Sequence, residues 1–209
     1  KGKYDIDVDL SEKSTANVGF EVGYSTAESI FGRIALHERN FLGKGQYLDA
    51  IVHRGRRRTS YTFGLTEPHF LDLDLSLGES IFVVNAGNQK DVFGGNAQPY
   101  NLNSYGFKTT LGYNINDDLS HSLFYAYKHD NLKAGSSTSI FVKEQEGKFN
   151  TSAIGHTLTY DQTDNRWTTK NGYIISGTQE YAGVGGDNRY IKHEIDGSVY
   201  KSFIENKYT

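Results

Sequence analysis

The sequence predicts an all-β protein, an antiparallel up-and-down sheet of the transmembrane β-barrel kind. Three observations lead there. Apolar and polar residues alternate with period two along most of the chain, the mark of strands with two unlike faces. The composition, with 23 glycines, two prolines, 15 tyrosines and 12 phenylalanines in 209 residues, suits strands and tight turns. Connections fall into short turns and long polar loops, as on the two sides of bacterial membrane barrels. No apolar run approaches the ~20 residues of a membrane helix, but membrane strands need only ~10 residues of alternating character.

The strands follow in order. In 16–24 (ANVGFEVGY), Val18, Phe20, Val22 and Tyr24 share one face, and Asn17, Gly19, Glu21 and Gly23 the other. A second strand, 29–38, sets Ile30, Ile34 and Leu36 against Arg33 and His37. The third, 46–54, sets Leu48, Ala50 and Val52 against Asp49 and His53; the fourth, 59–66, sets Tyr61, Phe63 and Leu65 against Thr62, Gly64 and Thr66. The fifth, 75–85, alternates less cleanly. The sixth, 104–115, puts Tyr105, Phe107, Thr109, Leu111, Tyr113 and Ile115 opposite Gly106, Lys108, Thr110, Gly112 and Asn114. Four more are expected at 120–130, 151–161, 172–182 and 189–203, and no segment carries a helical period. Loops are expected at 87–103 and 131–150, and short turns at 40–45, 67–72 and 114–119.

Lys108 lies mid-strand on a polar face. That face meets water in a soluble sandwich and lines a wet lumen in a barrel, so both architectures satisfy it. Tyrosines near strand ends (Tyr24, Tyr61, Tyr113, Tyr160, Tyr173, Tyr181) favour the barrel, where such residues form interfacial girdles.

Bulk properties exclude several functions. A net charge of −3 gives no global pull toward nucleic acid, and no nucleic-acid partner is expected. The lack of cysteine removes disulfides, thiolate metal sites and cysteine nucleophiles. The chain begins mid-pattern and without methionine, which reads as a piece of a longer protein.

Four constellations could carry chemistry. "RGRRR", with Arg56, Arg57 and Arg58, is a candidate anion or lipopolysaccharide contact; the plainer reading is a solvated hairpin tip. His37 and His53 on adjacent inward faces lack a third ligand by spacing, so no metal is expected. No nucleophile elbow, zinc-protease motif or phosphate loop occurs, so no catalytic residue and no cofactor is assigned. "YDQTDNRWTTKNGY" (160–173) offers Asp161, Asp164 and Asn165 without the closing acid of a calcium loop. Turn chemistry explains it better: Asp and Asn side chains cap local backbone, and Gly172 supplies positive φ.

These turns together resemble the BamA-type outer-membrane-protein assembly-factor family. "ERNFLGKGQ" (38–46) is similar to that family's turn after the second strand, through Asn40, Gly43 and Gly45. "LTEPHFLD" (65–72) resembles its Thr-x-Pro-x-aromatic turn, through Thr66, Pro68 and Phe70. "YDQTDNRWTTKNGY" resembles its Tyr-Asp-x-x-Asp-Asn…Pro-x-x-Gly turn, through Asp161, Asp164 and Gly172, with Thr163 and Thr169 in place of the family's arginine and proline.

The resemblance implies residues 1–15 as the end of the last periplasmic POTRA domain and its linker. It implies 16–209 as the N-terminal part of the barrel, about ten of the family's sixteen strands. It implies a bacterial outer-membrane location, with client β-barrel proteins, accessory assembly lipoproteins and the lipid bilayer as partners. It also implies an edge formed by Val18, Gly19, Phe20, Glu21, Val22 and Gly23, at which a client strand adds as the seam opens. Trp167 is expected at the periplasmic interface. Two alternatives stay open: a TamA-like or two-partner-secretion barrel, and a soluble sandwich or lipocalin-like binder.

Overall fold

The computed structural model describes residues 15–25, 28–87, 100–135, 138–165 and 168–202. Ten strands form one antiparallel sheet in sequence order. They are β1 (Asn17–Ser25), β2 (Ser29–Phe41), β3 (Gln46–Gly55), β4 (Arg58–Glu67), β5 (Leu75–Ala86), β6 (Tyr100–Asn114), β7 (Leu119–Ala134), β8 (Gly147–Asp161), β9 (Gly172–Ala182) and β10 (Tyr190–Tyr200). The order is a pure meander, so β2–β3, β4–β5, β6–β7 and β8–β9 turn at one end and the other connections at the opposite end.

Cross-strand pairing keeps like with like. Val18 opposes Leu36, and Phe20 opposes Ile34, which in turn opposes Val52. Each strand exposes at least one large apolar side chain on this face, from Phe20 on β1 to Ile195 on β10. Buried apolar residues are few: Leu48, Phe124, Ala153 and Ala182. A soluble sheet covers such a face with a second layer; here no described element does, so the sandwich reading fails and the apolar face is the lipid face.

The opposite face is the lumenal one. Glu21 opposes Arg33, with oxygen and nitrogen 3.8 Å apart, and Lys128 pairs with Asp130 at 2.8 Å. Lys108 faces this lumen too, its ammonium 4.0 Å from the Phe124 ring centroid. Three inward glycines each oppose a phenylalanine across the ladder: Gly23 with Phe31, Gly106 with Phe82, and Gly155 with Phe124. In each case a Cβ on the glycine meets the ring at 2.4–2.8 Å. The outer ends of the rings therefore cover bare backbone, which stiffens strands that glycine alone weakens.

Some expectations need correction. β6 starts four residues before 104, β7 runs four residues past 130, and β8 starts four residues before 151, so both loops are shorter than the sequence suggests. The described residues hold two helical pieces, α1 (Ile140–Glu144) and a 3-10 turn at Phe70–Asp72. Each is too short to display a period. β10 stops at Tyr200 rather than 203. The uneven pattern of β5 also has a cause: Glu79 lies on the lipid face, where the Thr109 hydroxyl donates to it at 2.8 Å, while Phe82 points inward.

Candidate functional site: an open sheet edge

Alternation makes β1 a strand, and glycine makes it a thin one. Among the described residues β1 pairs with β2 alone, over the full register from Asn17↔His37 to Ser25↔Ser29. Phe20 and Val22 are 76% and 82% exposed, so neither packs on a neighbour. In an antiparallel ladder alternate residues turn their N–H and C=O groups to the same side. About half of the backbone groups of β1 therefore point to the unpaired side. In hydrocarbon each unpaired backbone group costs several kcal/mol, so the free side of β1 takes a partner strand, from elsewhere in a longer protein or from another chain. Among the described residues β10 pairs with β9 alone, and it is exposed along its length.

One end of the β1–β2 hairpin is held from the lumen. The Phe31 ring covers Gly23 and stacks on His53, with centroids 5.4 Å apart. His53 Nε2 lies 2.6 Å from the Glu28 carboxylate. Gly55 leaves room beneath Phe31 and Glu28, since a Cβ there would sit 3.1–3.3 Å from both. Gly19, by contrast, meets only the Ala35 carbonyl oxygen, 3.9 Å from its would-be Cβ. The two glycines thus differ: a side chain at Gly23 would displace the Phe31 ring, while one at Gly19 would not. His37 and His53 do not converge. His37 pairs with Asp49 while His53 sits four residues along β3 beside Glu28.

The short turns are built by side chains capping backbone. Asn40 accepts from Gly45 N–H at 2.7 Å, and the positive φ of 73° at Gly43 and 70° at Gly45 closes the loop. Glu67 accepts from His69 N–H at 3.1 Å, just after Thr66 and around Pro68; Phe70 then opens the 3-10 turn, with Leu71 and Asp72 both at φ 58°. Asp161 accepts from both the amide and the hydroxyl of Thr163, at 3.0 and 2.6 Å. Asp164 accepts from the amides of Lys170 and Asn171, at 3.0 and 3.1 Å. Those two bonds hold its carboxyl below the ordinary 3.8. Thr169 donates to the Asn165 carbonyl at 2.7 Å, a fastening that the proline of the resembled turn lacks a hydrogen to make. Trp167 and residues 1–14, read as a POTRA exit, lie outside the described residues.

Arg56, Arg57 and Arg58 cap the β3–β4 hairpin, at the end opposite these turns. They line a cleft together with Asn85, Asn101 and Lys133. A second feature escapes sequence reading. On the lipid face Tyr113, His121, His156 and Gln179 form a hydrogen-bonded chain across β6–β9, with links of 2.8, 3.2 and 3.2 Å. Its members come from four strands, so only the register brings them together.

The Omp85 superfamily domain matches residues 40–209 of the chain. Among curated proteins, the outer membrane protein assembly factor BamA of Neorickettsia risticii is 21% identical over 96% of this chain and 26% of its own length. BamA of Nitratidesulfovibrio vulgaris is 26% identical over 97% of this chain and 25% of its own length. The chain thus spans about a quarter of the length of these relatives. Among solved structures, BamA from Haemophilus ducreyi lacking POTRA domains 1–3 superposes with a TM-score of 0.68 at 23% identity, over 90% of this chain and 38% of that one.

Proposed function

The chain belongs to the Omp85 superfamily, whose domain covers residues 40–209, and from that premise we propose that its β1 edge receives strands of client proteins during outer-membrane assembly. Its ten strands are those of a bacterial outer-membrane barrel of the BamA type. The observation that supports the reading is the β1 strand itself: among the described residues it pairs with β2 alone, and Phe20 and Val22 stand exposed on the lipid face. A client strand arriving in the bilayer brings its own unpaired backbone groups. Pairing the two edges satisfies both sets. Main-chain bonds tolerate many sequences, which suits a protein with many clients. The chemistry is non-covalent and uses no cofactor.

Residues 1–209 carry no cysteine, and the test starts from the full-length protein with any cysteine elsewhere replaced by serine. Single cysteines at Val18, Phe20 and Val22 of the full-length protein are paired with cysteines along the C-terminal strand of a stalled client. Strand addition predicts disulfides whose best client partner shifts by two residues, in the opposite direction, for each two-residue step along β1. No crosslinks, or equal crosslinks at every client position, would remove the reading.

A further inference from the structure

We propose that the lipid face at the loop-bearing end of β3–β7 holds the phosphate of an outer-leaflet lipid headgroup. The first observation is a reversal of polarity. One register row on this face runs Val52–Tyr61–Val83–Tyr105–His129. Two residues further along the strands, the next row runs Arg54–Thr59–Asn85–Asn103–Asn131. The row beyond joins Arg57 to Gly87 through a 3.0 Å backbone bond, then Asn101 to Lys133. The surface passes from aromatic and aliphatic to wholly polar within one pleat repeat, ~7 Å. On a membrane strand that step marks the level at which hydrocarbon gives way to headgroups.

The second observation is a shaped recess at that level. Arg57, Thr59, Asn85, Asn101, Asn103 and Lys133 line a cleft of about 380 Å³, within the ~300–1,000 Å³ of small-ligand sites. Among the described residues no carboxylate lines it. Gly87 lets the cleft form: the Asn101 amide oxygen lies 2.0 Å from where a Cβ on Gly87 would sit, so any larger residue evicts that side chain. Four cations, Arg56, Arg57, Arg58 and Lys133, and several neutral donors match the needs of a phosphate group, which takes charge-assisted bonds on several oxygens. A free anion has the same chemistry. The position beside Tyr61 and Tyr105 favours a phosphate carried on acyl chains, which those rings and Val83 flank. The choice of a phosphorylated lipid A headgroup rests on the outer-membrane reading above, since it requires this end to face the outer leaflet.

The full-length protein, reconstituted in nanodiscs, is probed with lipid A bearing both phosphates, with dephosphorylated lipid A, and with inorganic phosphate. Retained lipid is counted by native mass spectrometry. Lipid A with phosphates is expected to outlast the dephosphorylated form. The double variant Arg57→Gln, Lys133→Gln should lose roughly fivefold in retention, the worth of two partly exposed ionic contacts. Arg57→Lys with Lys133→Arg should keep most of it, which separates lost charge from lost folding. Equal retention of the two lipid A forms, or wild-type retention by the Gln variant, overturns the proposal. Displacement of lipid A by millimolar inorganic phosphate also overturns it, in favour of a free-anion site. Client insertion measured on the same preparations reports the β1 edge separately, because neither side chain lies on β1.

Discussion

At the scale of single residues, the turns gain their shape from a few capping side chains, and these were largely legible. Asp161, Asp164 and Gly172 stand where a turn needs acceptors and a left-handed residue. A reader of the sequence finds them without knowing which amide each one caps. Asp164 makes the clearest prediction. Its bonds to the amides of Lys170 and Asn171 favour the ionised carboxyl and depress its titration from 3.8. The folded value lies below the unfolded one, so the stabilisation is complete above the unfolded value. It disappears as pH falls through the folded value. Amide exchange at Lys170 and Asn171, corrected for intrinsic rates, should accelerate below about pH 4. Asp164→Asn should flatten that dependence. Gly172 is constrained twice, by φ 121° and by the Gln162 carbonyl oxygen 2.2 Å from a would-be Cβ. Gly172→Ala should cost about 1–3 kcal/mol, read as a lower urea midpoint in lipid vesicles.

At the scale of elements, period two located every strand, but it failed where strands leave the membrane. The missed residues, Tyr100–Asn103 on β6, Asn131–Ala134 on β7 and Gly147–Asn150 on β8, include Asn101, Asn103, Asn131 and Asn150 on the outward face. Outside hydrocarbon that face no longer has to be apolar, so alternation vanishes while the ladder continues. The inward phenylalanine–glycine pairs were invisible for a different reason, since partners lie on separate strands. They predict unequal tolerance among glycines. Gly106→Ala sets a methyl group 2.2 Å from the Tyr127 carbonyl oxygen and 2.8 Å from Phe82. Gly177 has nothing within 4 Å. The first substitution should cost about 1–3 kcal/mol through overpacking, and the second should be neutral or stabilise by up to about 1 kcal/mol. Equal unfolding midpoints for the two variants would contradict this account. In β1, proline at Phe20 and at Glu21 removes N–H groups pointing to opposite sides of the strand. One variant should lose client insertion with the β1–β2 ladder intact by amide exchange, and the other should lose the ladder itself.

At the scale of the whole molecule, the open edge is the feature least legible in the sequence. A lone strand pattern does not reveal whether one or both of its sides find a partner, because pairing is fixed by residues far along the chain. The Tyr113–His121–His156–Gln179 chain has the same non-local origin. Once the register is known, the physics is direct. Among its described residues the 209-residue chain presents two unpaired edges, β1 and β10, on a sheet whose outward face is apolar. Detergent covers the apolar face but hydrogen-bonds poorly to the edges, and exposed edges pair with whatever strand is available. The isolated chain should therefore self-associate in detergent through strand addition between copies. Proline at Phe20 together with proline at Ser198 interrupts both edges, because proline cannot extend a ladder. Size exclusion with light scattering should then move from oligomers toward monomer, with circular dichroism still reporting sheet. An unchanged oligomer distribution would place the association on the apolar face. In that case the edge would lose its standing as the chain's principal docking element.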